Sequence, residues 1–223
     1  MFLITRILLI VTGIATMFFF SCRPANTVSD VDGNTYRTVR IGNQLWMAEN
    51  LRVTHYRDGS AILQLPANEA WRKAEDGAWC DYFNERENGK TYGHLYNWLA
   101  VNDVRGIAPA GWRVPSQEDI AELITYLKGD TIAASGLKEA GAAHWIDAGS
   151  NASGDSGFDA LPGGYRSGID GSFHTLKSNG YWWAATRSFE LFAWSPRIFG
   201  SFADVDRDKS YYTYGFSVRC IKE

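Results

Sequence analysis

Chemistry-bearing residues are few in this 223-residue chain, and its three cysteines come first. Cys22 ends an apolar run, residues 7–20, that follows the basic residue Arg6. Fourteen residues are too few to cross a bilayer, which takes roughly 20, but they match the apolar centre of a secretory signal. Ser21 directly before Cys22 has the form of a bacterial lipobox. That form predicts cleavage before Cys22 and acylation of its thiol and of the amino group that cleavage frees. Residues 1–21 therefore read as a signal peptide, and Cys22 as a lipid anchor to a membrane. Cys80 and Cys220 remain, in a compartment where thiols oxidise. Their spacing matches neither a zinc nor a redox motif. The residues alone leave two outcomes open, a disulfide or two buried thiols packed as small hydrophobes.

No catalytic residue is assigned from the other reactive side chains. His55, His94, His144 and His174 are scattered, and none has the i+4 partner of a metal-binding helix. No nucleophile elbow and no phosphate-binding glycine loop occurs. Asp204, Asp206 and Asp208 open like a calcium loop. Lys209 then stands where glycine is needed and Gly215 where the bidentate glutamate belongs, so the segment reads as a solvated acidic turn. No metal or cofactor is expected. Binding chemistry is better represented, by 9 Trp, 11 Tyr and 12 Phe. Tyr165, Arg166, Trp182, Trp183 and Arg187 join aromatic faces to guanidinium groups, the combination on which sugars stack and hydrogen-bond. Trp182 and Trp183 are adjacent, so in a strand they point to opposite faces, and one of them belongs to the core. Tyr211, Tyr212 and Tyr214 form a second, smaller cluster.

These groups need elements to position them. The chain carries 22 basic and 25 acidic residues; loss of Arg6 with the signal leaves a net charge of −4. No basic run stands out, so no nucleic-acid partner is expected. Residues 22–29 are polar and read as a tether of at most about 28 Å. Residues 36–41 alternate, Gly42-Asn43 can turn, and residues 44–48 return, which predicts a hairpin. Residues 54–90 read as mostly loop. Residues 92–101 carry a helical stripe of Tyr92, Leu95, Tyr96 and Leu99. A helix is also predicted within 111–129. Ser116 caps it, Asp119 completes a capping box, Ile120, Leu123, Ile124 and Leu127 are its buried face, and Gly129 ends it. Short strands are predicted at 157–161, 181–186, 192–199 and 212–221. Strands flanking central helices predict an α+β fold with a mostly antiparallel sheet.

Seven motifs occur in order: DVDGNTYRTVRIGNQLWMAENL, YGHLYNWLAV, APAGWRVPSQED, GLKEAGAAHW, GFDALPGGYR, NGYWWAAT and YGFSVRC. Together they resemble the Fibrobacter succinogenes major paralogous domain, a family of bacterial envelope lipoproteins abundant in Bacteroidetes and Fibrobacter. The resemblance spans about residues 30–222, which implies a single domain over 30–223. The family is distantly similar to formylglycine-generating enzymes and C-type lectins. GWRVPSQEDIAELI resembles the helix start of the former, and GFSVRCIKE resembles its closing strand. The implied fold is C-type-lectin-like, with a mostly antiparallel twisted sheet whose first and last strands pair, two main helices and long loops.

The resemblance has further implications. Family members often carry a cysteine where this chain has Ala108, which implies that Cys80 pairs with Cys220. The formylglycine-generating enzymes use a close pair of copper-binding cysteines, and this chain has none, so that activity is not implied. The calcium-binding tripeptides of sugar-binding lectins are also absent. The implied protein is a non-catalytic envelope lipoprotein with a binding or structural role, including glycan binding. Its partners would be the membrane, through the anchor, and a polysaccharide or envelope protein. Residues 23–26 lack the acidic residues of surface-exported Bacteroidetes lipoproteins, which implies the periplasmic face of the outer membrane. Asp130-Thr131-Ile132 resembles the acceptor of Bacteroidetes periplasmic O-glycosylation, which makes Thr131 a candidate. The alternative is a hydrolase-type enzyme on the same fold. Aromatics on a shared exposed face favour the binding module, and carboxylates or histidines converging in one pocket favour the enzyme.

Overall fold

The computed structural model describes residues 26–146 and 152–223; Cys22 and the signal segment lie outside the described residues. Alternation and a glycine turn make the opening hairpin as expected. Thr35–Ile41 and Gln44–Met47 pair antiparallel, Ile41 faces Gln44, and Gly42 closes the turn at φ +58°. A third strand precedes it. Thr27–Ser29 pairs with Thr35–Arg37, so the segment read as a tether is already part of the sheet from Thr27 onward. The closing strand Ile221–Lys222 does not pair with the first strand, contrary to expectation; the first strand takes the outer edge and the closing strand lies beside Gln44–Met47, with Ile221 opposite Trp46 and Trp112–Arg113 at the far edge. One five-stranded sheet thus joins the beginning, middle and end of the domain.

A second sheet is built on a long hairpin, Phe192–Phe199 with Val205–Tyr211. Asn179–Tyr181 and Arg187–Phe189 pair with the other side of Phe192–Phe199. Leu63–Gln64, Ala78–Cys80 and Leu95–Tyr96 make a small sheet, and Tyr165–Arg166 pairs with Phe173–His174. The architecture is mixed α+β, with mostly antiparallel strands. Residues 157–161, 181–186 and 212–221 do not form the continuous strands expected. Their backbones bond to alternating neighbours instead: Trp182 N–H donates to Pro196, Trp183 to Ser217 and Ala184 to Trp194.

The helix Gln117–Tyr126 has the predicted capping box. Ser116 Oγ accepts from the Asp119 N–H at 3.2 Å, and Asp119 Oδ2 accepts from the Ser116 N–H at 2.6 Å. Ile120, Leu123 and Ile124 are buried and Leu127 is half-buried against them. Gly129, at φ +100°, ends this helix and starts another, Asp130–Leu137, which buries Ala133, Ala134 and Leu137. The second main helix is therefore this one, and residues 92–101 are not a single helix. Arg86–Tyr92 stops at Gly93 (φ +82°), Leu95–Tyr96 joins the small sheet, and only Trp98–Val101 is helical again. A Cβ at Gly93 would stand 2.6 Å from Asn50 Cβ, so this crossing requires glycine.

The expected bridge between Cys80 and Cys220 is not formed; both are free and buried. Cys80 packs with Trp71, Tyr82 and Leu95, whereas Cys220 lies in another apolar cluster with Met47, Trp98 and Val218. Each fills its site as a small hydrophobe.

Candidate functional site

The second sheet and the chain crossing it build an aromatic cleft of about 300 Å³. Tyr165, Tyr181, Phe192, Tyr211, Tyr214 and Phe216 supply the rings and Arg197 a guanidinium; Lys209 also borders the cleft, but it pairs with Trp194 and its ammonium lies on the other sheet face. Strand pairing sets several of these positions. Tyr181 stands opposite Arg197 across one ladder, and Phe192 opposite Tyr211 across another. The Tyr165 ring meets Tyr181 edge-on at 4.9 Å and Tyr214 at 5.9 Å, and Tyr181 stacks on Phe216 at 5.4 Å. His174 stacks against Tyr165 at 5.0 Å. Burial raises the Tyr165 pKa; the phenols of Tyr181 and Tyr214 add to the rise and Arg197 opposes it. The Tyr165 hydroxyl therefore stays neutral and can donate or accept.

Arg197 is held from one side by Asp208, 2.6 Å from Nη2, and by Asp206, 3.8 Å from Nη1. Its Nε is buried without a hydrogen-bond partner among the described residues. Lys209 Nζ lies 4.9 Å from the ring centre of Phe189 and 4.8 Å from that of Trp194. The Lys209 ammonium makes no ion pair among the described residues. Among the described residues no carboxylate lines the cleft itself, but Asp206 and Asp208 stand beside Arg197 on the same sheet face and offset its charge. The arrangement can stack a ring and donate hydrogen bonds.

The five residues singled out in the sequence do not share one face. Tyr165 lines the cleft. Arg166 is fully buried between the rings of Trp71 and Phe173 and donates to the carbonyls of Leu65, Pro66 and Gly171. Trp182 and Trp183 do point apart, into different clusters, but both are core. Trp182 Nε1 donates to Asn50 Oδ1, and Trp183 Nε1 to the Tyr96 carbonyl. Arg187 is exposed and bonds the carbonyls of Phe189 and Glu190. Of the smaller cluster, Tyr211 and Tyr214 line the cleft, while Tyr212 stacks on Trp98 at 4.2 Å. Sequence reasoning missed Phe192, Arg197, Lys209 and Phe216. No local pattern singled them out, because pairing between separate strands is what brings them together. Thr131 is exposed in the first turn of Asp130–Leu137, next to Asp130, which bonds Arg207 at 2.9 Å.

A second, polar cleft of about 720 Å³ lies between the turn that carries Asp32 and Asn34, the segment 52–55 and the helix Arg86–Tyr92. Two histidine–carboxylate pairs line it. His94 Nδ1 lies 2.7 Å from buried Asp81, and its ring packs on Trp79 at 4.3 Å. His55 Nδ1 lies 2.6 Å from Asp32. Both pairs engage Nδ1, which leaves each Nε2 without a protein partner among the described residues. A Cβ at Gly89 would stand 1.8 Å from Asp81 Oδ1; a mid-helix glycine makes room for the His94–Asp81 pair. A carboxylate on Nδ1 orients an imidazole so that Nε2 can accept a proton. The Thr54 hydroxyl bonds Asp32 and the Nδ1 edge of His55, the wrong nitrogen for activation as a nucleophile. Among the described residues no three His, Cys, Asp or Glu side chains are grouped to hold a metal.

Comparison with known proteins adds one finding. No curated protein and no solved structure matches the chain significantly. The model of the Fibrobacter succinogenes major domain does match, over residues 39–222, most of the length, from within the strand Thr35–Ile41 to the closing strand. The chain belongs to the Fibrobacter succinogenes major domain family.

Proposed function

We propose that this protein is a non-catalytic envelope lipoprotein that binds a saccharide in its aromatic cleft. The observation that carries the reading is the convergence of Tyr165, Tyr181, Tyr214 and Arg197 on one open cavity of about 300 Å³. That volume suits a small ligand. Phenol rings cover the apolar face of a pyranose, while hydroxyls and a guanidinium satisfy its polar edge. The fold behind the cleft is C-type-lectin-like, a reading supported by the closing strand lying against the returning arm of the opening hairpin. Cys22 is the anchor and residues 1–21 the signal. With the sheet beginning at Thr27, residues 22–26 form a tether of at most about 18 Å. The domain then sits close to its membrane, at the periplasmic face of the outer membrane, facing a polysaccharide or envelope protein. A glycan array probed with the detergent-solubilised protein tests the reading. Binding to a defined set of glycans is expected, and an array with no bound glycan rejects it.

A second reading is favoured by His94 and Asp81 in the polar cleft. In that reading the protein is a hydrolase-type enzyme in which His94 Nε2 accepts a proton from an attacking water. A panel of ester and glycoside substrates decides it. Turnover that His94→Gln abolishes would support the enzyme, and no turnover by the wild type discards it.

A further inference from the structure

We infer that the domain lays one face on the bilayer that its anchor enters: the groove between the opening hairpin and the two main helices. This rests on the lipoprotein reading and adds which face meets the membrane. Strand direction sets the geometry. The Asn26 carbonyl accepts from the Thr38 N–H at 2.7 Å, and Thr27 stands opposite Arg37. The pairing is antiparallel, so the chain enters from the side of Val39, Arg40 and Ile41. At about 3.4 Å per residue, Arg40 lies roughly 7 Å along the strand from Thr38. The tether of at most about 18 Å therefore leaves the domain at this end. A domain of this length has a radius of gyration of about 16 Å, so its far end lies beyond the reach of an embedded anchor.

The groove at that end, of about 560 Å³, has the chemistry of an interfacial surface. Tyr126 and Ile132 line it and are 62% and 46% exposed, beside half-buried Leu127. The Tyr126 ring lies against Gly42, where a Cβ would stand 2.8 Å from it; this contact joins the helix end to the hairpin turn. Arg40 and Lys128 border the same groove, and both are exposed. Neither makes an ion pair among the described residues. Asp155 also lines the groove and offsets part of their charge, so the apolar side chains set the face and the cations strengthen it. A phenol ring settles at the boundary between headgroups and acyl chains. Long cationic side chains reach from that depth to lipid phosphates. Docking takes the exposed surface of Tyr126 and Ile132 out of water.

Fluorophores on introduced cysteines in the lipidated full-length protein test this. One variant is Asn43→Cys, in the exposed turn beside Gly42; the other is Ile169→Cys, on the exposed turn after Tyr165–Arg166. Vesicles of phosphatidylethanolamine and phosphatidylglycerol carry a quencher on their headgroups. Quenching of the Asn43→Cys label is expected to exceed that of the Ile169→Cys label several-fold. Adding Ile132→Asp should lower that preference roughly fivefold or more at an unchanged melting temperature. Lys128→Ala should lower it by up to roughly fivefold, and raised salt should reproduce the Lys128 effect alone. Equal quenching of the two labels, in protein that floats with the vesicles, overturns the docked face and leaves the lipoprotein reading standing. Energy transfer between Asn43→Cys labels on separate molecules, in place of headgroup quenching, would mean that a second copy covers the groove and also overturns it. Protein that neither floats nor carries an acyl mass on Cys22 overturns both readings.

Discussion

At Asp119 a single carboxylate accepts from the Ser116 N–H at 2.6 Å and from Arg113 Nη2 at 2.8 Å. Burial raises its pKa, but Arg113 and Ser116 outweigh burial and hold it below the ordinary 3.8. A depressed folded-state pKa contributes stability above pH 3.8 that is lost as pH falls through the folded value. Asp119→Asn should therefore flatten the acid limb of a urea-midpoint series from pH 7 to pH 2. An unchanged limb would show that the pair contributes nothing to it. Ser116→Ala should lower stability by about 1 kcal/mol in the same assay. The cysteines make the opposite kind of site. Burial pushes the Cys80 thiol up to about 12, against the opposing pull of Arg166. Thiolate-dependent labelling of Cys80 and Cys220 should be slow in the native protein and complete after unfolding, and reductant should leave the melting temperature unchanged. Rapid native labelling contradicts the packing described. The cap was legible because its partners are three residues apart. The two tryptophans were legible only as pointing apart, since their burial is set by residues far along the chain.

Among the elements, the opening hairpin and the capped helix could be read because both are local patterns of alternation, turn and cap. The stripe over 92–101 misled because burial and helical spacing were treated as one signal. Tyr92, Leu95 and Tyr96 are indeed buried, but Gly93 at φ +82° sends the chain from helix to strand between them. Asp130–Leu137 was missed because three small residues, Ala133, Ala134 and Gly136, give it a weak apolar stripe. Gly93→Ala should cost about 1–3 kcal/mol through backbone strain and the clash with Asn50, read as a lowered urea midpoint. Gly89→Ala should also displace Asp81 from His94, shifting the His94 ring resonances in NMR. Unmoved resonances would mean that the helix yields instead.

Over the whole molecule, sheet pairing gathers what the chain keeps apart. The cleft takes Tyr165 from a two-residue strand, Arg197 and Lys209 from the long hairpin, and Tyr214 and Phe216 from the approach to the closing strand. None of these positions is within reach of a local pattern, which is why α+β was legible and the cleft was not. The most direct measurement is a calorimetric titration of wild type and Tyr165→Ala with the glycan that binds most strongly on the array. Removing one stacking ring is worth about 0.5–1.5 kcal/mol, up to roughly tenfold in affinity. The account predicts that loss at an unchanged melting temperature. Affinity equal to wild type, with the variant folded, would contradict it, because the glycan would then be bound somewhere other than the aromatic cleft.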